Sequence, residues 1–152
     1  MSSSNVPAVT GINHLSFTVA NIEATLAFFC EVLGAELLSL SKAANPTGVR
    51  LLTGVPEAEV RFAFLGFGMQ RIELVEYSSP ADRQTFLPRP CDTGFAHLAL
   101  NVTNVPMLIA KAAHYQFHPI GETIEMLGGV DKGKTATYLR GTDGLTLELI
   151  GP

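Results

Sequence analysis

Two segments of the chain are near-copies of each other, and this internal repeat constrains the fold more than any other feature. Residues 11–21 read Gly-Ile-Asn-His-Leu-Ser-Phe-Thr-Val-Ala-Asn, and residues 94–104 read Gly-Phe-Ala-His-Leu-Ala-Leu-Asn-Val-Thr-Asn. Self-similarity of this kind indicates a duplicated structural unit. With 152 residues, the chain is long enough for one compact domain or two closely paired modules with a substantial core.

Each copy begins with the pattern of a strand followed by a helix. Apolar and polar residues alternate through residues 11–20, which predicts a strand. Asn21 and Asn104 are suitable helix N-caps, and the first helix is expected to end at Gly34 and the second near Tyr115. In the first copy, further strands are predicted at 36–41, 60–65 and 70–77, with a loop at 45–48. In the second copy, they are predicted at 119–125, 134–140 and 144–150. We therefore expect an α+β fold of tandem β-α-β-β-β modules, at 11–77 and 94–150, joined by a proline-rich linker at 78–93.

The last strand of each unit adds a second matching position. Arg-Ile-Glu-Leu-Val at 71–75 corresponds to Thr-Leu-Glu-Leu-Ile at 146–150, so each unit carries one His and one Glu: His14 with Glu73, and His97 with Glu148. All four lie opposite the main apolar stripe of their strands. If helices cover the apolar faces, the other faces curl around a cavity that contains four side chains able to bind a divalent metal. A structural cluster of salt bridges is the alternative interpretation.

These motifs resemble the vicinal oxygen chelate superfamily. The similar segments are His-Leu-x-Phe-x-Val from His14, Ile-Glu-Leu-Val from Ile72, Ala-His-Leu-Ala-Leu from Ala96 and Gly-x-Thr-Leu-Glu-Leu-Ile from Gly144. The superfamily includes glyoxalase I, methylmalonyl-CoA epimerase, extradiol dioxygenases, and fosfomycin and bleomycin resistance proteins. The resemblance covers residues 11–150 and implies paired β-α-β-β-β modules that form a curled mixed sheet around a divalent ion.

The ligand set is most similar to that of glyoxalase I, which has a His-Glu-His-Glu set matching His14, Glu73, His97 and Glu148. The resemblance implies a lyase or isomerase that moves a proton next to a carbonyl of a small substrate, with Glu148 as the base and Glu73 as the second candidate. A set without thiolates suits Zn, Ni, Co, Mn or Fe(II). Where glyoxalases carry an arginine for glutathione, this chain reads Phe17-Thr-Val. The alternatives are a binding protein of the bleomycin-resistance kind and an extradiol-type dioxygenase.

A second group of polar residues lies near the last strand pair. Tyr138 and Arg140 share a strand face, and Lys134 follows a glycine-rich loop. These three residues are candidates to contact an anionic substrate. A solvated loop is the alternative account of the lysine.

Composition excludes several classes of partner. The net charge is −4, with 14 acidic and 10 scattered basic residues, which favours neither nucleic acid nor an anionic membrane. No apolar run reaches the about 20 residues of a membrane span, and the N-terminal residues do not resemble a signal peptide, so a cytoplasmic location is expected. Sheet edges left by such modules predict a homodimer. Whether the site forms within one chain or across two is left open by the sequence.

Overall fold

The computed structural model describes residues 8–152, which form three helices and nine strands. The first unit contains β1 (Leu15–Thr18), α1 (Ile22–Glu31), β2 (Glu36–Lys42), α2 (Pro46–Thr53), β3 (Glu59–Phe67) and β4 (Gln70–Ser79). Its sheet has the order β1-β4-β3-β2, in which β1 runs parallel to β4 and the other pairs are antiparallel. The segment used to judge a signal peptide, residues 1–7, lies outside the described residues.

The second unit repeats this arrangement with shorter elements. It contains β5 (Leu98–Asn101), α3 (Val105–Ala113), β6 (His118–Pro119), β7 (Ile124–Glu125), β8 (Thr135–Arg140) and β9 (Thr146–Gly151). Its sheet has the order β5-β9-β8-β6, and β7 also pairs with β8. The parallel pair β5–β9 matches β1–β4. The expected α+β class, with two mixed sheets, is confirmed.

The two repeat helices begin where the sequence predicts. The Asn21 side chain accepts a hydrogen bond from the Ala24 backbone N–H at 2.9 Å, and the Asn104 side chain accepts one from Met107 at 2.8 Å. Each side chain satisfies an N–H that has no partner within the helix. The first helix is shorter than expected: it ends at Glu31 rather than at Gly34.

Two predicted elements were wrong. The stretch expected to be a loop at 45–48 begins helix α2, where Asn45 caps the Gly48 N–H and Pro46 occupies the first turn. Cap, proline and the left-handed Gly54 at the other end are typical helix signals, but the same residue types are common in turns, and α2 buries no residue. The strand expected at 119–125 is two short strands, His118–Pro119 and Ile124–Glu125, which both pair with β8 and are separated by an irregular stretch that contains Gly121.

The apolar faces of both sheets pack into one core. Ile72 and Leu74 of β4 and Leu147 and Leu149 of β9 are almost fully buried in the same hydrophobic cluster as α1 and α3. Since successive strand residues point to opposite sides, the alternate residues of β4 and β9 lie on the faces directed away from this core. The candidate ligands Glu73 and Glu148 are among them.

The segment between the two sheets is fastened to the second one. The Arg140 guanidinium donates a hydrogen bond to the Pro88 carbonyl oxygen at 2.6 Å. Gly144 has φ +90°, and a Cβ there would lie 2.2 Å from the Phe86 carbonyl oxygen, so only glycine permits this approach. The connecting segment is therefore seated beside the β8–β9 turn.

None of the helices within residues 8–152 combines the length and the apolar character that crossing a bilayer requires.

Candidate metal centre

The first His–Glu pair forms at the start of β1. His14 immediately precedes that strand, and Glu73 in β4 lies beside Ser16 in the parallel register. His14 Nε2 is 3.4 Å from Glu73 Oε2. The ring of Phe64, which is paired with Glu73 across β3–β4, meets the imidazole edge-on at 5.9 Å. The parallel ladder therefore brings together two residues that are distant in sequence.

Three further side chains orient this first pair. His14 Nδ1 donates a hydrogen bond to Asn13 Oδ1 at 2.8 Å, and the same oxygen accepts one from the Arg71 guanidinium at 2.9 Å. This arrangement leaves Nε2, on the side of Glu73, as the ring nitrogen available to a metal ion. The Ser16 hydroxyl donates to Glu73 Oε2 at 2.6 Å. Both ends of the pair are thus held by neighbouring side chains.

The second pair occupies the corresponding place in the second unit. His97 Nε2 is 3.1 Å from Glu148 Oε2. Glu148 lies between Ala99 of β5 and Tyr138 of β8 in the strand register. The Tyr138 ring meets the His97 imidazole at 5.1 Å in a T-shaped arrangement. In both units a parallel strand pair produces the same His–Glu contact.

The two pairs do not meet within one chain. In the part of the chain that the structure describes, no group of three or more His, Cys, Asp or Glu side chains is close enough to share a metal ion. The physical reason is that both sheets turn their apolar faces to the common core, so each pair lies on the outward face of its own sheet. The expectation of four ligands converging in one cavity is therefore not met by a single protomer.

Each pair has the geometry of half a metal site. Donors bound to one ion at about 2.0–2.2 Å stand about 3.0 Å apart when their bonds are perpendicular and about 3.4 Å apart in a tetrahedron. The two Nε2–Oε2 distances, 3.4 and 3.1 Å, fall in this range. Both carboxylates are largely shielded, with side chains 15% exposed at Glu73 and 19% at Glu148. The residues fit a divalent ion, but each pair supplies only two ligands.

A small cavity of about 180 Å³ adjoins the second pair. Tyr138 and Glu148 line it together with apolar and polar residues, and three larger hollows elsewhere contain none of the four candidate ligands. Burial raises the pKa of Tyr138, and the nearby charge of Glu148 raises it further, so the phenol stays protonated at neutral pH and is a hydrogen-bond donor. The remaining cavity-lining residues are Pro90, Ile120, Gly121, Glu122, Ile124, Ala136 and Thr137.

The other two substrate candidates have partners within the chain. The Lys134 ammonium is 2.7 Å from an Asp131 carboxylate oxygen. Arg140 donates to the Thr146 hydroxyl and to the Pro88 carbonyl, and its guanidinium lies 5.8 Å from the centre of the Phe95 ring. Both cations are therefore engaged in local structure, and Tyr138 alone of the three lies directly beside a candidate ligand.

Sequence reasoning did not identify the orienting residues of the first pair. Asn13, Ser16 and Arg71 are common polar residue types, and their importance depends on contacts across the β1–β4 pairing. A usable signal was present for two of them: Ser16 and Arg71 each lie two residues from a candidate ligand and therefore share its strand face, whereas Asn13 directly precedes His14.

Comparison with known proteins places the chain in a family. The model of the Glyoxalase/Bleomycin resistance protein/Dioxygenase superfamily matches residues 11–149. A 2-epi-5-epi-valiolone epimerase of an Actinomyces species is 32% identical over 99% of this chain and 84% of its own length.

Solved structures share the fold. A glyoxalase family protein from Bacillus cereus superposes with a TM-score of 0.81 at 18% identity, over 99% of this chain and 98% of the other. The fosfomycin resistance protein FosX from Listeria monocytogenes, solved with Mn(II), gives a TM-score of 0.59 at 16% identity, over 95% and 94% of the two chains. The resemblance inferred from the motifs is confirmed. The chain belongs to the Glyoxalase/Bleomycin resistance protein/Dioxygenase superfamily and is an enzyme of the epimerase or lyase type.

Proposed function

We propose that this protein is a divalent-metal-dependent epimerase or lyase that moves a proton on a carbon next to a carbonyl. The observation that carries the proposal is the pair of His–Glu contacts at equivalent positions, each with a spacing suited to two ligands of one ion. Divalent metals are known in the superfamily, as in FosX with Mn(II). A bound ion would supply Lewis acidity to the carbonyl oxygen of the substrate.

The complete site requires a second copy of the chain. His14 and Glu73 of one protomer would face the partner's His97 and the partner's Glu148, which gives four protein ligands and leaves positions for substrate oxygens. A two-fold axis makes two such sites, because each protomer contributes its first pair to one site and its second pair to the other. The argument for this assembly is that both pairs lie on outward faces.

The protein groups around the site can carry the proton. Glu148 is the proposed base, because it lines the cavity beside the second pair. Tyr138, a protonated phenol in the same cavity, can donate a hydrogen bond to a substrate oxygen. An epimerisation must return the proton from the opposite side, and Glu73 in the facing half of the site is the candidate for that step. No net oxidation occurs, so no redox partner is needed.

The relative with 32% identity suggests where to look for a substrate. It is named for the epimerisation of 2-epi-5-epi-valiolone, a ketone by its name, and the match extends over nearly the whole of this chain. We propose a hydroxylated ketone with adjacent oxygens as the substrate class, and 2-epi-5-epi-valiolone as the first compound to test.

Metal analysis and proton exchange together test the proposal. Purified protein should retain a divalent ion, and His97→Ala and Glu148→Gln should lose it, while His114→Ala and Glu57→Gln, at exposed positions away from both pairs, should not. In D₂O, the enzyme should introduce deuterium next to the carbonyl of 2-epi-5-epi-valiolone, as seen by NMR. Full metal occupancy in both site variants would refute the ligand assignment. Tight binding of the ketone without exchange would favour a sequestration protein.

A further inference from the structure

The two carboxylates differ in how they are held. Ser16 lies beside Glu73 in the β1–β4 register and donates a hydrogen bond to its Oε2 at 2.6 Å. In the second unit, the residue in the same register beside Glu148 is Ala99, which has no hydroxyl. The duplicated strands therefore place a donor next to one carboxylate and a methyl group next to the other.

The two histidines show the same inequality. Asn13 accepts the Nδ1 hydrogen of His14 and is itself held by Arg71. The corresponding positions in the second unit are Ala96 and Thr146. Alanine has no acceptor in its side chain, and the Thr146 hydroxyl is buried and occupied by a hydrogen bond from Arg140.

Orientation of this kind has a thermodynamic effect. A glutamate loses side-chain conformational freedom when it is fixed in one rotamer. A hydrogen bond that already fixes the rotamer reduces the entropy that is lost when an ion binds, and loss of such supporting bonds weakens metal binding by about 10- to 100-fold in known sites. A carboxylate without such a bond keeps its freedom to rotate.

We propose that Ser16 is a positioning residue that makes the two halves of the site unequal. Through its hydrogen bond, Ser16 holds the Glu73 carboxylate in one orientation before an ion binds, whereas Ala99 offers Glu148 no such support. This inference rests on the proposed function and concerns how firmly each carboxylate is held for metal binding.

Equilibrium binding of Mn²⁺ alone tests this proposal without any substrate. Free Mn²⁺ is counted by its EPR signal during titration of the metal-stripped, full-length protein. Ser16→Ala should weaken the affinity by about tenfold or more. Ser16→Thr keeps the hydroxyl on a residue type that is common in strands, so this variant should bind Mn²⁺ with the affinity of the unaltered protein. Ala99→Ser, which places a hydroxyl beside Glu148, should tighten Mn²⁺ binding.

A double-mutant cycle shows through which carboxylate Ser16 acts. In a Glu148→Ala background the effect of Ser16→Ala should persist, whereas in a Glu73→Ala background, which removes the acceptor of the Ser16 hydroxyl, it should disappear. The proposal is overturned if Ser16→Ala binds Mn²⁺ as tightly as the unaltered protein, or if its effect is the same in both backgrounds. A wild-type protein that binds no Mn²⁺, Zn²⁺, Ni²⁺, Co²⁺ or Fe²⁺ would refute the proposed function itself, which is a different result.

Discussion

Phe28 of α1 and Phe117, which precedes β6, stack with ring centroids 3.9 Å apart and an interplanar angle of 13°. The contact joins the two repeat units on the helix side of their sheets, and the Tyr115 hydroxyl adds a hydrogen bond to the Glu31 carboxylate nearby. Because the units meet through these faces, the faces that carry the His–Glu pairs remain directed outward. The packing of this aromatic pair thus helps to keep the two His–Glu pairs facing outward, which is the reason for proposing that a second protomer completes the site.

Replacing Phe28 with alanine should destabilise the protein by about 3–5 kcal/mol, since it leaves a cavity in the core that the two units share. Urea unfolding followed by circular dichroism measures this change. Leu51→Ala on α2, where the side chain is 80% exposed, is the control and should change stability by about 0.5 kcal/mol or less. Equal effects of the two substitutions would contradict the shared core.

Removal of the metal should lower the melting temperature without unfolding the protein. Binding to the folded state alone stabilises it by about 2.7 kcal/mol when the free ion is at 100 times its dissociation constant. The core is extensive without the ion, so the stripped protein should still melt cooperatively. Scanning calorimetry with and without a chelator at neutral pH gives the comparison, and an unchanged melting temperature would argue against a metal site.

Mixing two inactive variants should restore metal binding. One variant carries His14→Ala and Glu73→Gln, and the other carries His97→Ala and Glu148→Gln. If each site uses the first pair of one protomer and the second pair of its partner, subunit exchange should recover about a quarter of the wild-type sites. Sites confined within one protomer would show no recovery, and light scattering of each variant establishes that dimers are present.

Removing the Tyr138 hydroxyl should slow the reaction more than it weakens metal binding. Tyr138→Phe keeps the ring against His97 but removes the donor beside Glu148, and loss of one such hydrogen bond costs about tenfold in kcat/KM. The measurement is deuterium exchange at the carbon next to the carbonyl, together with Mn²⁺ titration. An equal loss in the exchange rate and in the Mn²⁺ affinity would instead indicate a structural role for the phenol.

The ion pair between Glu23 and Arg61 should make stability depend on pH. The hydrogen bonds that Arg61 donates at 2.6 and 2.8 Å lower the pKa of Glu23 below its ordinary 4.5. A lowered pKa means that the stabilisation is complete above the unfolded value and is lost as the pH falls through the folded value. Glu23→Gln should therefore lower the melting temperature at neutral pH and not in strong acid. In an Arg61→Gln background, this pH dependence should disappear.

Local patterns were sufficient for much of the architecture. The alternation around His14 and His97 predicted strands, and β1 and β5 do follow these residues, although both strands are shorter than expected. The caps at Asn21 and Asn104 were predicted correctly, because the signals for a helix start lie within a few residues. Helix α2 was missed since it buries nothing and its capping residues also occur in turns.

By itself, the sequence determined that the chain is duplicated, that each copy begins with a strand and a helix, and that His and Glu recur at matching positions. Only the tertiary structure decided that His14 meets Glu73 and His97 meets Glu148 while the two pairs stay apart. It also decided that Ser16 is a partner of Glu73. The physical reason is that periodicity and capping depend on near neighbours in the chain, whereas these contacts depend on strand register and on which sheet faces the shared core covers.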